Sequence, residues 1–333
     1  MKPTNKKLTF IFIILLVFSV FAFGQKTELE KGIELYKQEK YDDAARIFKN
    51  ISKTNKNDAE VWNYLGLDYF NNEEYKDARK AFIKAVKLSS QKSSYRVNLA
   101  YAYLYSNKRK NAKEEINKAI ELDPKNIDAY ILHATNSLWE GKYAETISDS
   151  DYIIALDKNN STAYLLKADA LLNSFGRKWR EEGDPKKNLD ILQTAAKTLE
   201  NCNKDCRNSN NSNSFETKQS VIKGFQDHFN RQNKEDSDLS NTDNNRVPLL
   251  IINKAPPSYT QAAREANYQG SITLAILFAA DGKTKYVIAL NTLDYGLTDQ
   301  AIKAASFITF EPEMLDGKPV SVVRRVQYSF SIY

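Results

Sequence analysis

A chain of 333 residues, 42% hydrophobic and 27% charged, has enough apolar content to fold about two domains, which excludes a wholly disordered polypeptide. Its formal charge of +6 falls to +3 without Lys2, Lys6 and Lys7 of the first segment, too little for the concentrated basic face of a nucleic-acid binder. With two cysteines, Cys202 and Cys206, and no His close by, the fold does not depend on disulfides and the pair is no four-ligand zinc site, though an oxidising compartment would close a small loop between them.

The chain opens with a short basic stretch, residues 1–7, and an uncharged apolar run, residues 8–23. Ala22-Phe23-Gly24 then places small residues at the −3 and −1 positions for cleavage before Gln25. That is the three-part pattern of a secretory signal peptide over residues 1–24. The run is about one turn short of the ~20 residues of a comfortable membrane span. Helices near this length do span, however, and Lys6-Lys7 would hold the N-terminus inside. Two expectations therefore stand: cleavage before Gln25, or retention of residues 8–23 as an anchor. Either places the rest of the chain outside the cytoplasm, and no Cys follows the leader to carry a lipid.

A period of 34 residues follows. It relates Ala44, Ala78, Ala112 and Thr146, then Phe48, Phe82 and Ile116, then Gly32, Gly66, Ala100 and Ala134. Each unit reads as two amphipathic helices joined by a polar turn such as Asn71-Asn72-Glu73-Glu74. The small residue lets the two helices approach, and the Ala/Phe pair packs the second onto its neighbour. One pair cannot bury its apolar face alone, so units stack into an α-solenoid.

Trp62-x-x-Leu65-Gly66-x-x-Tyr69, then Ala78-x-x-x-Phe82-x-x-Ala85, resembles the tetratricopeptide (TPR) signature, and Pro124 adds the late proline of the third unit. Four units run from residue 25 to about 160. A fifth opens with Tyr164, Ala168 and Leu171 and departs after Asn173 into a polar insertion through Lys187. Residues 188–199 read as its delayed second helix or a cap, so the array covers residues 25–200. The resemblance implies protein or peptide binding on the inner face of the first helices, which by register includes Asn63, Asn98, Tyr101, Tyr105, Thr135 and Trp139. Leu67, Asp128 and Leu132 stand where the family's carboxylate clamp would need Lys, Asn and Arg, so that clamp is absent. Packing of the aromatics between units is the alternative reading of these positions.

Residues 201–247 are rich in Asn, Ser, Asp, Lys and Gln, with a short helix suggested around residues 221–229. So little apolar surface cannot offset the entropy of ordering, and the segment reads as a flexible polar linker, spanning roughly 35–40 Å as a coil.

Residues 248–333 carry a different pattern. A short helix after Pro256-Pro257 leads to a strand over residues 271–278, an Asp281-Gly282 hairpin signal, a return strand, a helix through Leu297, Ala301 and Ala305, and a last strand. The last strand places Val320, Val322, Val326, Tyr328, Phe330 and Ile332 on one face. The order α-β-β-α-β gives a small α+β domain, a three-stranded antiparallel sheet with two helices on one side.

The ordered set Pro257-x-Tyr259, Ala263-Arg264, Gly270, Asp281-Gly282, Leu297, Ala301, Ala305, Phe310-x-Pro312 and Gly317-x-Pro319-Val320 resembles the C-terminal domain of TonB proteins. The resemblance implies a periplasmic protein that binds the periplasmic segment of outer-membrane β-barrel transporters by strand addition. The receiving edge would comprise Val322, Arg324, Arg325, Val326, Tyr328 and Phe330, with Pro256 and Tyr259 near it. Arg324 and Arg325 would either pair with acidic partner residues or guard an exposed edge. Thr260 and Pro256 replace the family's second Pro and its Gln. The leader's apolar run lacks the His that members use to couple to an inner-membrane motor, and no Pro-rich spanning segment follows.

Catalysis is not expected. The histidines are His133, in a repeat helix, and His228, in the linker. No phosphate loop, nucleophile elbow or metal-ligand cluster appears, and no cofactor is implied. Two functions remain: a TonB-like transducer anchored in the inner membrane and engaging its motor complex, or a soluble periplasmic adaptor that binds proteins through both modules without transmitting force.

Overall fold

The computed structural model describes residues 28–202, 206, 212–238 and 245–332. The leader, with residues 8–23 and the cleavage position before Gln25, lies outside them. The chain divides into two compact units, Met1–His133 and Ala134–Tyr333.

The first unit is built from helix pairs. Residues 28–37 (α1) precede α2 (Tyr41–Thr54); α3 (Ala59–Asn71) is joined to α4 (Tyr75–Leu88), and α5 (Ser93–Tyr105) to α6 (Arg109–Leu122). The chain then enters α7 (Ile127–Trp139), which crosses the boundary between the units. The repeat is legible in the backbone itself. The turn inside each pair holds a residue in the left-handed region at Glu39, Glu73, Asn107 and Gly141, one period apart. Side chains repeat it too. A Cβ on Gly66 would lie 2.6 Å from the Phe82 ring, and one on Gly32 would lie 2.7 Å from Phe48. Two glycine–phenylalanine pairs thus bring their helices together, and in the next unit Ala100 and Ile116, both buried, share that role with a larger small residue and a smaller large one. Asp58 begins α3 by accepting from the N–H groups of Glu60 and Val61.

The second unit continues with α8 (Tyr143–Leu156), α9 (Ser161–Glu182), a 3-10 turn at Pro185–Asn188, α10 (Leu189–Asn201) and α11 (Ser212–Asp238). Two expectations are corrected here. The polar insertion after Asn173 is helical as far as Glu182, because Phe175 and Trp179, one turn apart, are buried. α9 ends only where Gly183 adopts the left-handed conformation and donates its N–H to the Trp179 carbonyl. The segment read as a flexible linker carries the 27-residue helix α11. Its Phe215, Ile222, Phe225 and Phe229 recur at helical spacing and are all buried, so one face supplies the apolar area that the overall composition hid. Cys202 and Cys206 are joined in a buried disulfide between α10 and α11.

The C-terminal sheet has the order β4-β3-β8, all antiparallel: β3 (Gly270–Phe278), β4 (Thr284–Ala289) and β8 (Val322–Phe330). Short strands flank it. β1 (Arg246–Val247), β6 (Glu313–Leu315) and β7 (Lys318–Val320) form one small sheet, and β2 (Leu250–Asn253) pairs with β5 (Thr309–Glu311). One face of the main sheet, with Ile272, Leu274, Ile276, Phe278, Val326, Tyr328 and Phe330, packs on α12 (Gln261–Glu265) and α13 (Leu297–Ala305) through Ala263, Leu297, Ala301 and Ala305. Helices were expected on this side alone. The other face, with Ala275, Tyr286, Ile288, Leu290 and Val323, joins the core made by α9, α10, α11 and the disulfide. Glycines permit the contact. A Cβ on Gly176 of α9 would overlap the Ala289 carbonyl oxygen, and one on Gly224 of α11 would overlap the Tyr286 ring.

Candidate functional site

β8 is an edge strand, and no strand among the described residues pairs with its outer side. Its polarity follows from the ladder. Leu290 donates its N–H to Thr273 O, so odd-numbered residues of β3 face β4 and even-numbered ones face β8. With Ile272 opposite Tyr328 and Leu274 opposite Val326, the even residues of β8 bond inward. The N–H and C=O groups of Val323, Arg325, Gln327 and Ser329 therefore point outward. Two outward carbonyls carry side-chain donors: Arg324 Nη1 on Val323 O at 3.1 Å and Lys254 Nζ on Gln327 O at 3.0 Å.

The side chains expected at this edge divide into three sets. Val322, Val326, Tyr328 and Phe330 are buried in the sheet–helix core and hold the strand in register rather than facing a partner. Arg324 and Arg325 are not free cations. Arg324 pairs with Glu313, which is 0% exposed and also accepts from Arg246 Nε at 2.6 Å, so one buried carboxylate ties β8, β6 and β1 together. Arg325 reaches across to the C-terminal end of α9, donating to Trp179 O at 3.1 Å. Pro256 is exposed, whereas Tyr259 is half-buried, with its hydroxyl donating to Tyr268 O and its ring edge-on to Phe330 at 5.8 Å. Lys254, Gln327 and Glu313 were missed from the sequence. The odd/even alternation of the last strand marks Gln327, but nothing in the local sequence points to Lys254 or to the buried Glu313.

In the first unit, the inner-face residues form two groups. Asn98 donates from Nδ2 to Asn63 Oδ1 at 2.8 Å, with Asn63 buried. Tyr101 and Tyr105 gather on Phe70, with ring centroids at 6.3 and 5.0 Å, and Tyr75 joins Tyr105 at 5.1 Å. Burial pushes the Tyr101 hydroxyl up, whereas Tyr105 remains 59% exposed. These aromatics thus both pack between helices and offer a surface. Thr135 and Trp139 belong to the second unit, half-buried and exposed respectively.

One buried charge lies nearby. Asp68 of α3 is 1% exposed, and neither carboxylate oxygen has a hydrogen-bond partner among the described residues. Burial first, then Asp42 and Glu74, pushes its carboxyl up to about 6. In the second unit, burial likewise raises the Asp169 carboxyl, opposed by its Lys218 partner on α11. Among the described residues no group of three or more His, Cys, Asp or Glu side chains is placed to hold a metal, and no helix is long and apolar enough to cross a membrane.

Comparison with known proteins agrees with this anatomy. Residues 49–164 match the family described as the cytochrome c-type biogenesis protein H TPR domain, and residues 255–332 match the Gram-negative bacterial TonB protein C-terminal family. No curated protein matches the chain. Similar solved structures include MamA (19% identity, 53% of this chain and 92% of that one, TM-score 0.44). They also include YrrB, described as a TPR protein with an unusual peptide-binding site (17%, 51% and 84%, TM-score 0.42), and a thermophilic TPR protein of Thermus thermophilus (14%, 60% and 98%, TM-score 0.44). Both matched families are protein-interaction domains. The chain therefore joins a tetratricopeptide domain to a TonB C-terminal domain.

Proposed function

We propose that this is a periplasmic TonB-family protein that binds an extended segment of an outer-membrane β-barrel transporter along β8 and a second protein through its tetratricopeptide inner face. The observation that carries the reading is the outward row of Val323, Arg325, Gln327 and Ser329, whose main-chain groups have no strand partner among the described residues. Such a row is satisfied in full only by another strand, which makes strand addition the chemistry that suits it. A photo-crosslinking amino acid at Ser329 in living cells tests this: the trapped partner should be a β-barrel transporter, joined through its periplasmic segment. Gln327→Pro, which removes one outward N–H and leaves the β3 ladder intact, should abolish the adduct at unchanged thermal stability. Trapping of unrelated proteins, or an adduct indifferent to Gln327→Pro, would sink the reading.

A second reading, an adaptor without energy transduction, is favoured by the packing of the sheet on α9 and α11. A transducer needs reach, and a domain docked on its own repeat helices has little. The N-terminal residue and intact mass of the protein from its own cells separate the two. A chain starting at Gln25 leaves the adaptor, whereas a retained Met1 in the inner-membrane fraction makes residues 8–23 an anchor and a motor complex a partner to look for.

A further inference from the structure

The two arginines of β8 were the natural candidates for guarding its edge, and both are committed elsewhere, Arg324 to Glu313 and Arg325 to the end of α9. The cation that sits at the middle of the edge comes from another segment of the chain. Lys254 directly follows β2, is itself exposed, and places its ammonium on the outward carbonyl of Gln327 at 3.0 Å and 5.0 Å from the centroid of the Tyr328 ring. Its position is built by the fold rather than by a local turn. Residues 246–259 meet β8 in chain order, first indirectly, where Arg246 shares Glu313 of β6 with Arg324, and then directly, where Lys254 meets Gln327 and Tyr259 meets Phe330. Between these positions the segment runs as β2, paired with β5 and exposing Leu250 (56%) and Ile252 (63%).

We infer that Lys254 is the gatekeeper of the β8 edge: its ammonium occupies the central outward acceptor, and a partner strand enters only by displacing it. This rests on the strand-addition reading and adds the residue that sets its threshold. Physically, an added strand must donate an N–H to Gln327 O, the atom that Lys254 holds, so every partner exchanges a charged donor for a neutral one at that point. A lysine beside an unpaired strand also disfavours pairing with a second copy of the chain, because two such edges would bring two ammonium groups together. The stem of Lys254 stays in place when the head group swings out, which makes the guard reversible.

The test uses the full chain and an acetylated, amidated nine-residue peptide of alternating Ser and Val, followed through the backbone amide shifts of Arg325, Gln327 and Ser329. Lys254→Met, which keeps the stem and removes the charge, should bind the peptide about three- to tenfold more tightly than wild type, the net worth of a typical hydrogen bond once its charge is screened by solvent. It should also gain a concentration-dependent dimer in sedimentation, which Gln327→Pro on the same background removes. Equal or weaker peptide binding by Lys254→Met overturns the guard and leaves strand addition standing. If neither protein shifts those amides at millimolar peptide and the variant stays monomeric, the guard and the strand-addition reading both fail.

Discussion

Phe82 lies flat against Gly66, and that one contact states how a repeat tolerates variation. Gly66→Ala sets a methyl carbon 2.6 Å from the ring, so either the ring or the helix must move, and overpacking of this kind costs about 1–3 kcal/mol. The chain contains its own remedy one unit later, where Ala100 stands with Ile116. Gly66→Ala should therefore lower the urea midpoint of the protein, and adding Phe82→Ile should restore most of the loss, a coupling that a double-mutant cycle reads directly. Asp68 belongs at the same scale. Its register is held by Ala102, Asn136 and Ala170 in other units, all buried, so a carboxyl occupies a place that elsewhere takes a methyl group or a neutral amide. The folded-state value of about 6 lies above the ordinary 3.8. The native array therefore binds the proton more tightly than the unfolded chain, and the stability linked to this group is present below pH 4 and lost as pH rises through 6. Asp68→Ala should raise stability at pH 7 by roughly 1–3 kcal/mol and flatten the decline between pH 4 and 6 in melts taken across that range.

Among the elements, α9 and α11 depart most from what composition suggests. Phe175 and Trp179 of the one and Phe225 and Phe229 of the other interlock, with ring centroids 5.6–6.2 Å apart across the four. Both pairs have i, i+4 spacing, visible in the sequence, yet each sits inside a polar stretch that a composition argument assigns to coil. The 34-residue repeats and the C-terminal α-β-β-α-β order were readable because each carries a redundant pattern, many positions repeating one message. An interface between two different modules has no such redundancy, since its residues answer to a surface far away in the chain. The same reason hid Glu313 and Lys254. Gly176 offers the sharpest probe of this interface. Gly176→Val would drive side-chain carbon into the Ala289 carbonyl, so α9 and β4 must part. With Trp62 and Trp139 replaced by Phe, the emission of Trp179 should then shift to the red and its amide neighbours in β4 should exchange faster. Unchanged emission would mean that the helix and strand are not held together in solution.

For the second unit as a whole, a single core runs from the last repeat helices through the disulfide and α11 into the sheet, so its parts stand or fall together. Residues 248–333 produced alone would present Ala275, Tyr286, Ile288, Leu290 and Val323 to water, a patch of the kind that drives association. The docked sheet also changes the arithmetic of binding two things at once. A module on a tether searches a volume set by the length of the tether, and its effective concentration falls as that length grows. A module seated on a bracket has no such dependence. Ten Gly/Ser residues inserted after Asn241 should accordingly leave unchanged the avidity of any ligand that grips both β8 and α9, where a tethered domain would lose it roughly as the inverse three-halves power of the total tether length. Distance along the chain, for this protein, would have stopped being a measure of how readily its ends cooperate.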